Sequence, residues 1–495
     1  MDVAGKKVVI MGLGLHGGGL AVAKWMYAHG ARVVMSDVKS KEQLQASLQK
    51  LANYCQTFGE NNPDADMFPI EYGLGGHHTS HFDGADMVIQ NPGVPRESEF
   101  LQYARSHGSA IENEASLFFL LTPDITTIAV TGTRGKSTTA ALLFDMIRRW
   151  KPDSVLGGGI ATARGTIGSL FDILDPVRER RNHGKDFTVV LELSSWQLEF
   201  FPLHKSHPKL AIITNVMNDH MNRYPSMESY VAAKGNIGRF QTPSESLILN
   251  HDNYYTRSLA ENPMNGQQYW FSRTGKFFDK GCMLDENLNA IFKDGHESTV
   301  ICSLKNRLLQ GDHNIENILA AVTGAVIEGV PKTAIQQAID EFAGVPGRFE
   351  YIGEMEGRTI VNDTASTTPD ATIAALKILQ TRQERQAIIL IAGGADKNLD
   401  FAQMAREIKG SVQTMILLAG TATPKLVGCL KDVGFEGTIE MANSMEKAVD
   451  VAWKHTSKGD ILVLSPGAAS FGMFAHEFDR GEKFVQAIER IRGNV

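Results

Sequence analysis

Short apolar runs and longer segments with a helical pattern follow one another along this chain, an order that predicts short strands separated by helices. A compact apolar run over residues 7–11 precedes a glycine-rich turn, a helix-like run over 20–28 and a second apolar run over 32–35. The same succession returns after residue 125 and again after residue 347. Short buried strands followed by amphipathic helices are typical of parallel α/β sheets. The pattern therefore predicts an α/β protein.

The three successions predict three domains, since 495 residues are too many for one hydrophobic core. We expect a Rossmann-like N-terminal domain over 1–120, a central P-loop ATPase-type domain over 121–343 and a Rossmann-like C-terminal domain over 344–495. Gly344–Gly347 has the composition of a hinge. Residues 254–299 are rich in Asn, Gly and Lys and predict only a loop or a β excursion.

The start of the central domain carries the strongest chemical motif. Gly132, Gly135, Lys136 and Ser137 lie between a buried strand and the apolar beginning of a helix. Backbone N–H groups and the positive end of the helix can hold phosphate oxygens there, lysine adds a cation, and the serine hydroxyl can bind Mg²⁺. Val130 stands where the usual motif has its first glycine, so the loop is a shorter variant. The alternative is an ordinary helix-capping turn.

A second glycine motif lies in the first domain. Gly12, Gly14 and Gly17 follow the first strand, and Asp37 comes about 20 positions later. Alone, this fingerprint favours NAD and an oxidoreductase. That hypothesis leaves the second phosphate loop and the third domain without a role.

Other polar residues follow predicted strands of the central domain. Glu192 ends one strand and could hold Mg²⁺, although a salt bridge explains it as well. Asp219 and His220 follow the next strand and could approach a metal or a substrate. Lys234 lies on a predicted helix, where a lysine is ordinarily solvated, so composition does not single it out.

Amide and hydroxyl groups suggest two further places for ligands. Asn314 and Asn317 can share one helix face and read an adenine edge, or they can cap the helix. In the third domain, polar loops over 362–367, 393–397 and 465–470 each follow a strand. Three such loops at strand ends favour one ligand crevice.

Composition excludes several classes of protein. The net charge is −7, which argues against a broad nucleic-acid-binding face. Apolar runs are too short to span a membrane, and the N-terminus lacks the apolar core of a signal peptide. Four scattered cysteines argue against a zinc site or a disulfide framework. We expect a cytoplasmic protein, acting on small molecules without nucleic-acid or membrane partners.

Taken together, the motifs resemble those of the Mur ligase family over essentially the whole chain, with greatest similarity to the members that add D-glutamate. The matching segments are Gly132–Ser137, Leu191–Glu199, Asn218–Tyr224, Ala232–Lys234, His313–Asn317, Gly347–Glu350 and Asn362–Thr364. The resemblance implies an ATP-dependent ligase that joins D-glutamate to UDP-N-acetylmuramoyl-L-alanine through an acyl phosphate. It also implies a monomer in peptidoglycan precursor synthesis.

The resemblance assigns the nucleotide and metal residues. Two Mg²⁺ ions are expected, and Lys234 is expected to be carbamylated by CO₂, which makes it an anionic oxygen ligand. Lys136, His220 and Lys234 are the implied catalytic residues, and Ser137, Glu192, His220 and Lys234 the implied metal ligands. The implied ATP contacts are Gly132, Thr133, Arg134, Gly135, Lys136, Ser137, Thr138, Asn314, Asn317, Arg348 and Asp363.

The resemblance assigns the other substrates as well. In this family the first glycine crevice accepts the UDP part of the substrate, not NAD. The implied contacts of the UDP-muramoyl substrate are Leu15, His16, Asp37, Asn91, Gly93, Ser194, Gln197 and Arg223. Those of the amino acid are Thr367, Lys397, Ser470, Phe471 and Phe478.

The chain departs from the family pattern at three positions. Arg134 replaces the asparagine of the phosphate loop, Gly159 replaces an asparagine near the muramoyl group, and Ala365 replaces a lysine near the amino acid. Other hypotheses therefore remain: a related ligase for another amino acid, or a non-catalytic nucleotide-binding protein. Lys136, Ser137, Glu192 and His220 argue against the second of these.

Overall fold

The computed structural model describes residues 1–13, 18–162, 165–219, 221, 223–261, 264–275, 278–309, 311–380, 386–396 and 399–493. These residues form two compact units. One comprises Met1–Ile160 with Thr166–Phe342, and the other comprises Ala161–Gly165 with Ala343–Val495.

The first sheet of unit one has five parallel strands in the order β3-β2-β1-β4-β5. Valine and isoleucine fill the central strand, which is buried on both faces as a parallel sheet requires. The strands are β1 (Lys7–Met11), β2 (Arg32–Asp37), β3 (Glu71–Leu74), β4 (Met87–Gln90) and β5 (Ala110–Glu112). The helices are α1 (Gly18–Ala28), α2 (Gln45–Asn61), α3 (Thr79–Phe82), α4 (Glu99–Ser106) and α5 (Glu114–Leu121).

The second sheet has nine strands, in the order β16-β15-β14-β13-β12-β11-β6-β10-β7, and β14, β15 and β16 form an antiparallel meander at one edge. The strands are β6 (Thr127–Thr131), β7 (Val155–Gly157), β10 (Val189–Glu192), β11 (Leu210–Ile213), β12 (Ser246–Asn250), β13 (Gln267–Ser272), β14 (Lys280–Leu284), β15 (Asn289–Asp294) and β16 (Glu297–Ser303). A separate pair comprises β8 (Ile160–Thr162) and β9 (Gly165–Ile167). The helices are α6 (Lys136–Arg148), α7 (Leu170–Asn182), α8 (Ser195–Leu198), α9 (Phe201–His204), α10 (Met227–Arg239), α11 (Tyr254–Ala260), α12 (Asp312–Glu328) and α13 (Lys332–Glu341).

Apolar packing joins the two sheets into one unit. Trp25 of α1 meets Phe171 of α7 edge to face, with ring centroids 5.5 Å apart. The Trp25 indole N–H also donates to Asp175 Oδ1 at 2.9 Å. Because a buried aromatic pair with a satisfied N–H is a stable contact, α1 and α7 are held together.

Unit two contains a six-stranded sheet in the order β17-β18-β22-β19-β20-β21. Only β17 runs antiparallel to its neighbour. The strands are β17 (Glu350–Met355), β18 (Arg358–Asn362), β19 (Ile388–Ala392), β20 (Val412–Leu418), β21 (Thr438–Ala442) and β22 (Ile461–Leu464). The helices are α14 (Pro369–Gln380), α15 (Ala402–Ser411), α16 (Thr423–Asp432), α17 (Met445–Lys454) and α18 (Glu477–Gly493).

The three sheets confirm the predicted α/β class with two Rossmann-like sheets and a central P-loop-type sheet. The uninformative stretch after residue 254 contains α11 and then four strands, so the β excursion was the correct alternative. Across the described part of the chain, no helix is long and apolar enough to cross a membrane.

Candidate functional site

The glycine loop of the central domain connects β6 to α6, as the sequence predicts. β6 lies between β10 and β11, and all three strands are parallel. Their carboxyl ends therefore share one edge of the sheet. Glu192 ends β10, in register with Val130 of β6, and residues 214–219 follow β11. The predicted phosphate loop thus lies between the two polar segments predicted to surround it.

Two glycines of this loop have backbone conformations and neighbours that exclude side chains. Gly135 has φ +81°, and a Cβ there would lie 2.1 Å from Asn317 Oδ1. Gly132 has φ +151°, and a Cβ would lie 1.9 Å from Thr214 Oγ1. Since positive φ is strained for other residues, only glycine allows this close approach.

The segment after β11 holds the loop backbone in place. The Thr133 N–H donates to the Asn215 carbonyl at 2.8 Å, and the Arg134 N–H donates to Asn215 Oδ1 at 2.9 Å. The Arg134 carbonyl accepts from Thr214 Oγ1 at 2.6 Å. The segment after β11 therefore preorganises the loop before any ligand binds.

Lys234 of α10 is buried beside the loop, so the sequence-based expectation of a solvated lysine is wrong. Its side chain crosses to the loop and donates to the Gly132 carbonyl at 2.7 Å. Its residue exposure is only 2%. Burial, with a contribution from Lys136, lowers the pKa of Lys234 well below its usual value. The helix pattern did not predict this, because the burial depends on packing against β6.

Glu192 and Ser137 supply oxygen atoms at the same edge. Ser137 is buried at the start of α6. Glu192 Oε2 is buried and has no hydrogen-bond partner among the described residues. An orphaned buried carboxylate oxygen fits an oxygen-preferring cation such as Mg²⁺. Among the described residues, no group of three or more His, Cys, Asp or Glu side chains could hold a metal ion. His220, a predicted metal ligand, lies outside the described residues.

Charged residues of the loop face the segment after β11. The Arg134 guanidinium lies 3.9 Å from Asp219 Oδ2, and both side chains are partly exposed. Lys136 donates to the Thr133 carbonyl at 3.2 Å. Thr138, in the first turn of α6, is half-buried. Two cationic side chains thus belong to a loop shaped for phosphate.

Asn314 and Asn317 lie on one buried face of α12. Asn317 Nδ2 donates to Asn314 Oδ1 at 3.0 Å, and Thr139 Oγ1 donates to Asn317 Oδ1 at 3.4 Å. Neither side chain caps the helix, whose N-cap is Gly311. The shared-face prediction is confirmed, and Asn317 contacts the phosphate-loop helix.

A cavity in unit one lies between the loop after β4 and helix α8. It contains three residues predicted to bind the UDP-linked substrate, together with six that the sequence did not single out. Its lining comprises Gln90, Asn91, Pro92, Asn113, Glu114, Trp196, Gln197, Phe200 and Arg223. Amides, an acid, a guanidinium and an indole are groups that suit a polar sugar-containing ligand.

Glu114 is the buried acid of this cavity. Its Oε1 accepts from the Ser169 hydroxyl and from the Leu170 N–H, at the N-terminus of α7. Burial raises the pKa of Glu114 to about 7, although these hydrogen bonds oppose the shift. The sequence held no signal for Glu114, since it contacts α7 across 56 residues.

Other predicted substrate residues of unit one have local partners. Ser194 and Gln197 form a capping box at the start of α8. Asp37 Oδ2 accepts from the Leu13 N–H at 2.9 Å, and so orders the turn after β1. Asn91 donates to the Gly12 carbonyl, and Gly93 is exposed. Leu15 and His16 lie outside the described residues.

The three polar loops of unit two meet, as predicted. Asp363 Oδ2 accepts from Ser366 Oγ at 2.5 Å and from Ser465 Oγ at 2.7 Å. Ala395 pairs with Ala469 in an isolated bridge. Burial raises the pKa of Asp363 to about 6. Adjacent strands β18, β22 and β19 bring the loops to one edge.

A buried arginine that the sequence did not single out ties two of these loops together. Arg480 Nη2 donates to the Thr364 carbonyl at 2.7 Å, and Nη1 donates to the Ala468 carbonyl at 3.0 Å. Burial lowers its pKa to about 10.

The predicted ligand residues of unit two differ in exposure. Ser470 is buried, Thr367 and Phe478 are half-buried, and Phe471 and Arg348 are exposed. Lys397 lies outside the described residues.

Three family descriptions match in order: the Mur ligase MurD-like N-terminal domain over 6–112, the Mur ligase middle domain over 130–325 and the Mur ligase glutamate ligase domain over 347–468.

Two full-length relatives share one enzyme name. The UDP-N-acetylmuramoylalanine–D-glutamate ligase of Roseiflexus sp. (strain RS-1) is 38% identical, over 99% of each chain. That of Clostridioides difficile (strain 630) is 32% identical, over 99% of this chain and 100% of its own.

Among solved structures, the UDP-N-acetylmuramate-alanine ligase of Thermotoga maritima aligns with a TM-score of 0.59 at 20% identity. The alignment covers 98% of this chain and 99% of that one. At this identity the likeness concerns the fold alone.

Proposed function

The chain belongs to the Mur ligase family, and on that premise we propose that it joins D-glutamate to UDP-N-acetylmuramoyl-L-alanine with the conversion of ATP to ADP and phosphate. The observation that carries the proposal is full-length identity of 38% to a ligase named for that reaction. The preorganised phosphate loop between Glu192 and Asn215 supports the ATP half of the reaction.

The reaction couples two displacements. The terminal carboxylate of the UDP-linked substrate takes the γ-phosphoryl group of ATP, and an acyl phosphate forms as ADP leaves. The amine of D-glutamate then attacks the acyl carbon, and phosphate leaves as the amide bond forms. We assign the stabilisation of charge on the phosphoryl oxygens to Lys136 and the loop N–H groups, an assignment that the position of the loop between β6 and α6 supports.

Within the proposed site, Gly132–Thr138, Asn314 and Asn317 hold ATP, and Arg348 and Asp363 are further nucleotide contacts proposed from the family pattern. Ser137 and Glu192 would hold Mg²⁺, and His220 would hold a second ion. When bound, the ions neutralise charge on the phosphoryl oxygens. The buried, unpaired Glu192 Oε2 supports the first of these assignments.

Lys234 is proposed to be carbamylated. A neutral amine attacks CO₂, and a carbamate forms with loss of one proton. The buried position of Lys234 beside the Gly132 carbonyl supports this, because burial favours the neutral amine. The product is an anionic oxygen group next to Lys136.

The remaining contacts are proposed from the family pattern, and the cavity beside α8 supports three of them. The cavity residues Asn91, Gln197 and Arg223 are proposed to bind the UDP-muramoyl substrate, with Leu15, His16, Asp37, Gly93 and Ser194. Thr367, Lys397, Ser470, Phe471 and Phe478 are proposed for D-glutamate. We further propose that the protein acts as a cytoplasmic monomer.

Phosphate release from ATP, measured with each substrate omitted in turn, tests the function. We expect release only when UDP-N-acetylmuramoyl-L-alanine and D-glutamate are both present. Release that is unchanged when either is omitted would contradict ligation. The same assay with a panel of D- and L-amino acids tests the specificity, which matters because Ala365 replaces a family lysine. A stronger response to another amino acid would identify a related ligase.

A further inference from the structure

A buried carboxylate beside the cavity links the two sheets of unit one. Glu199 directly follows α8, and its side chain is only 4% exposed. Oε1 accepts from the Tyr224 hydroxyl at 2.6 Å, and Oε2 accepts from Arg223 Nη2 at 3.3 Å. Arg96 Nη1, from the loop after β4, lies 3.5 Å from Oε2. One carboxylate therefore meets two guanidinium groups and a phenol.

These contacts determine where Arg223 lies. Its guanidinium stacks over the Trp196 ring at 4.6 Å from the centroid. Nη1 donates to the Pro92 carbonyl at 3.3 Å, while Nη2 is held by Glu199. A ring, a carbonyl and a carboxylate thus fix one arginine at the wall of the cavity. Without the carboxylate, Arg223 would lose its only described anionic partner within 4 Å.

We propose that Glu199 is a positioning residue, which orients Arg223 toward the UDP-linked substrate and fastens the loop over 91–96 to the central domain. The assignment rests on the proposed function, since it takes the cavity to be the site of that substrate. Glu199 itself acts through Arg223. An anionic or carbonyl-rich part of the substrate is the ligand chemistry that a fixed guanidinium selects.

The test uses Glu199→Gln in the full-length enzyme, because glutamine keeps the shape and removes the charge. We expect the KM for UDP-N-acetylmuramoyl-L-alanine to rise about tenfold, with kcat and the KM for ATP and D-glutamate changed less than about twofold. Glu245→Gln is the matched control: Glu245 pairs with His207 at 3.2 Å and does not line the cavity. Equal rises in all three KM values would overturn the proposal.

A double-mutant cycle separates positioning from a merely structural role. If Glu199 acts through Arg223, adding Glu199→Gln to Arg223→Ala has little further effect on the KM for the UDP-linked substrate. Fully additive effects would contradict this. If Glu199→Gln fails to fold, Tyr224→Phe removes the 2.6 Å hydrogen bond to the carboxylate. It should raise the same KM by a smaller factor, and no rise would contradict the proposal.

Calorimetric binding of UDP-N-acetylmuramoyl-L-alanine distinguishes this inference from the proposed function. Binding by the unsubstituted protein without turnover of D-glutamate would contradict the function alone, and weaker binding by Glu199→Gln would still support the positioning role. Equal binding by both proteins, with normal turnover, would contradict the positioning role alone. Absence of binding to the unsubstituted protein would overturn both.

Discussion

Lys234 Nζ donates to the carbonyl oxygen of Gly132 at 2.7 Å, across 102 residues of chain. This bond places a buried amine against the phosphate loop. We predict that Lys234→Ala lowers kcat roughly 100-fold, as loss of a group that serves a metal site does. Acetate or formate should restore part of the activity by replacing the carbamate. Phosphate-release rates with and without the added carboxylate measure both effects.

Lys332→Ala is the control for the Lys234→Ala substitution. Lys332 also donates to a backbone carbonyl, that of Val300, at 2.9 Å, but it is exposed. We expect near-normal activity and no response to carboxylates. ¹³C NMR of protein equilibrated with ¹³CO₂ should show a carbamate signal that Lys234→Ala lacks. Full activity of Lys234→Ala without rescue would refute the carbamate role.

Gly135 cannot carry a side chain without moving Asn317. A Cβ would lie 2.1 Å from Asn317 Oδ1, and φ is +81°. Gly135→Ala should lower kcat/KM for ATP about 100-fold, since small displacements at a reacting centre have effects of that size. Steady-state kinetics with varied ATP measure the loss.

Gly59→Ala is the control for the same change of residue. Gly59 lies in α2, and a Cβ there meets nothing within 4 Å. Gly59 lies in the last turn of the helix, so alanine there should stabilise the protein by less than the ~1 kcal/mol of an interior position and leave the kinetics unaltered. Equal kinetic losses in the two variants would show that Gly135 has no special geometric role.

Arg134 adds a second side-chain cation to the phosphate loop. Its backbone is fixed by Asn215 and Thr214, while its side chain is 53% exposed and lies near Asp219. We predict that Arg134→Ala raises the KM for ATP roughly tenfold, because a charged contact to phosphate is lost. Arg134→Lys should recover part of the affinity.

Arg178→Ala, on the exposed side of α7, is the corresponding control. Nucleotide titration and initial rates should distinguish the two variants. An unchanged KM for ATP in Arg134→Ala, with a raised KM for the UDP-linked substrate, would instead place Arg134 at the substrate.

Glu114 should make stability depend on pH. Its pKa is raised from 4.5 to about 7 in the folded protein. The folded state therefore holds a proton that the unfolded state releases, so this contribution is fully present below pH 4.5 and is lost as pH rises through 7. Glu114→Gln mimics the protonated acid. Between pH 5 and 8 its free energy of unfolding should increase relative to that of the unsubstituted protein by an amount on the order of 3 kcal/mol. Its melting temperature should rise accordingly, relative to that of the unsubstituted protein.

Glu99→Gln is the control for this titration, because Glu99 occupies the first turn of α4 and is exposed. Melting temperatures of all three proteins across the pH range give the comparison. The same pH trend in Glu99→Gln, or a gap in Glu114→Gln that stays constant with pH, would contradict the assignment to Glu114.

Local chain chemistry was enough to predict the phosphate loop. Strand, glycines, Lys136, Ser137 and helix follow one another within a short segment, and their roles depend on backbone geometry that neighbouring residues determine. The sheet-edge positions of Glu192 and Asp219 also followed from the sequence, because polar residues after parallel strands share one edge. The shared face of Asn314 and Asn317 followed from helix periodicity.

Tertiary packing decided the environment of single side chains. A helix pattern assigns Lys234 to a surface, yet α10 packs against the phosphate loop and buries it. Glu114 and Arg480 gain their partners from distant segments, so no local pattern could mark them. Glu199 ends the matching segment Leu191–Glu199, but its partner Arg96 also comes from a distant segment. The sequence by itself determined which groups reach the edges of the sheets. Only the folded chain decided which of them lose water and become paired, because desolvation and pairing depend on contacts between segments far apart in sequence.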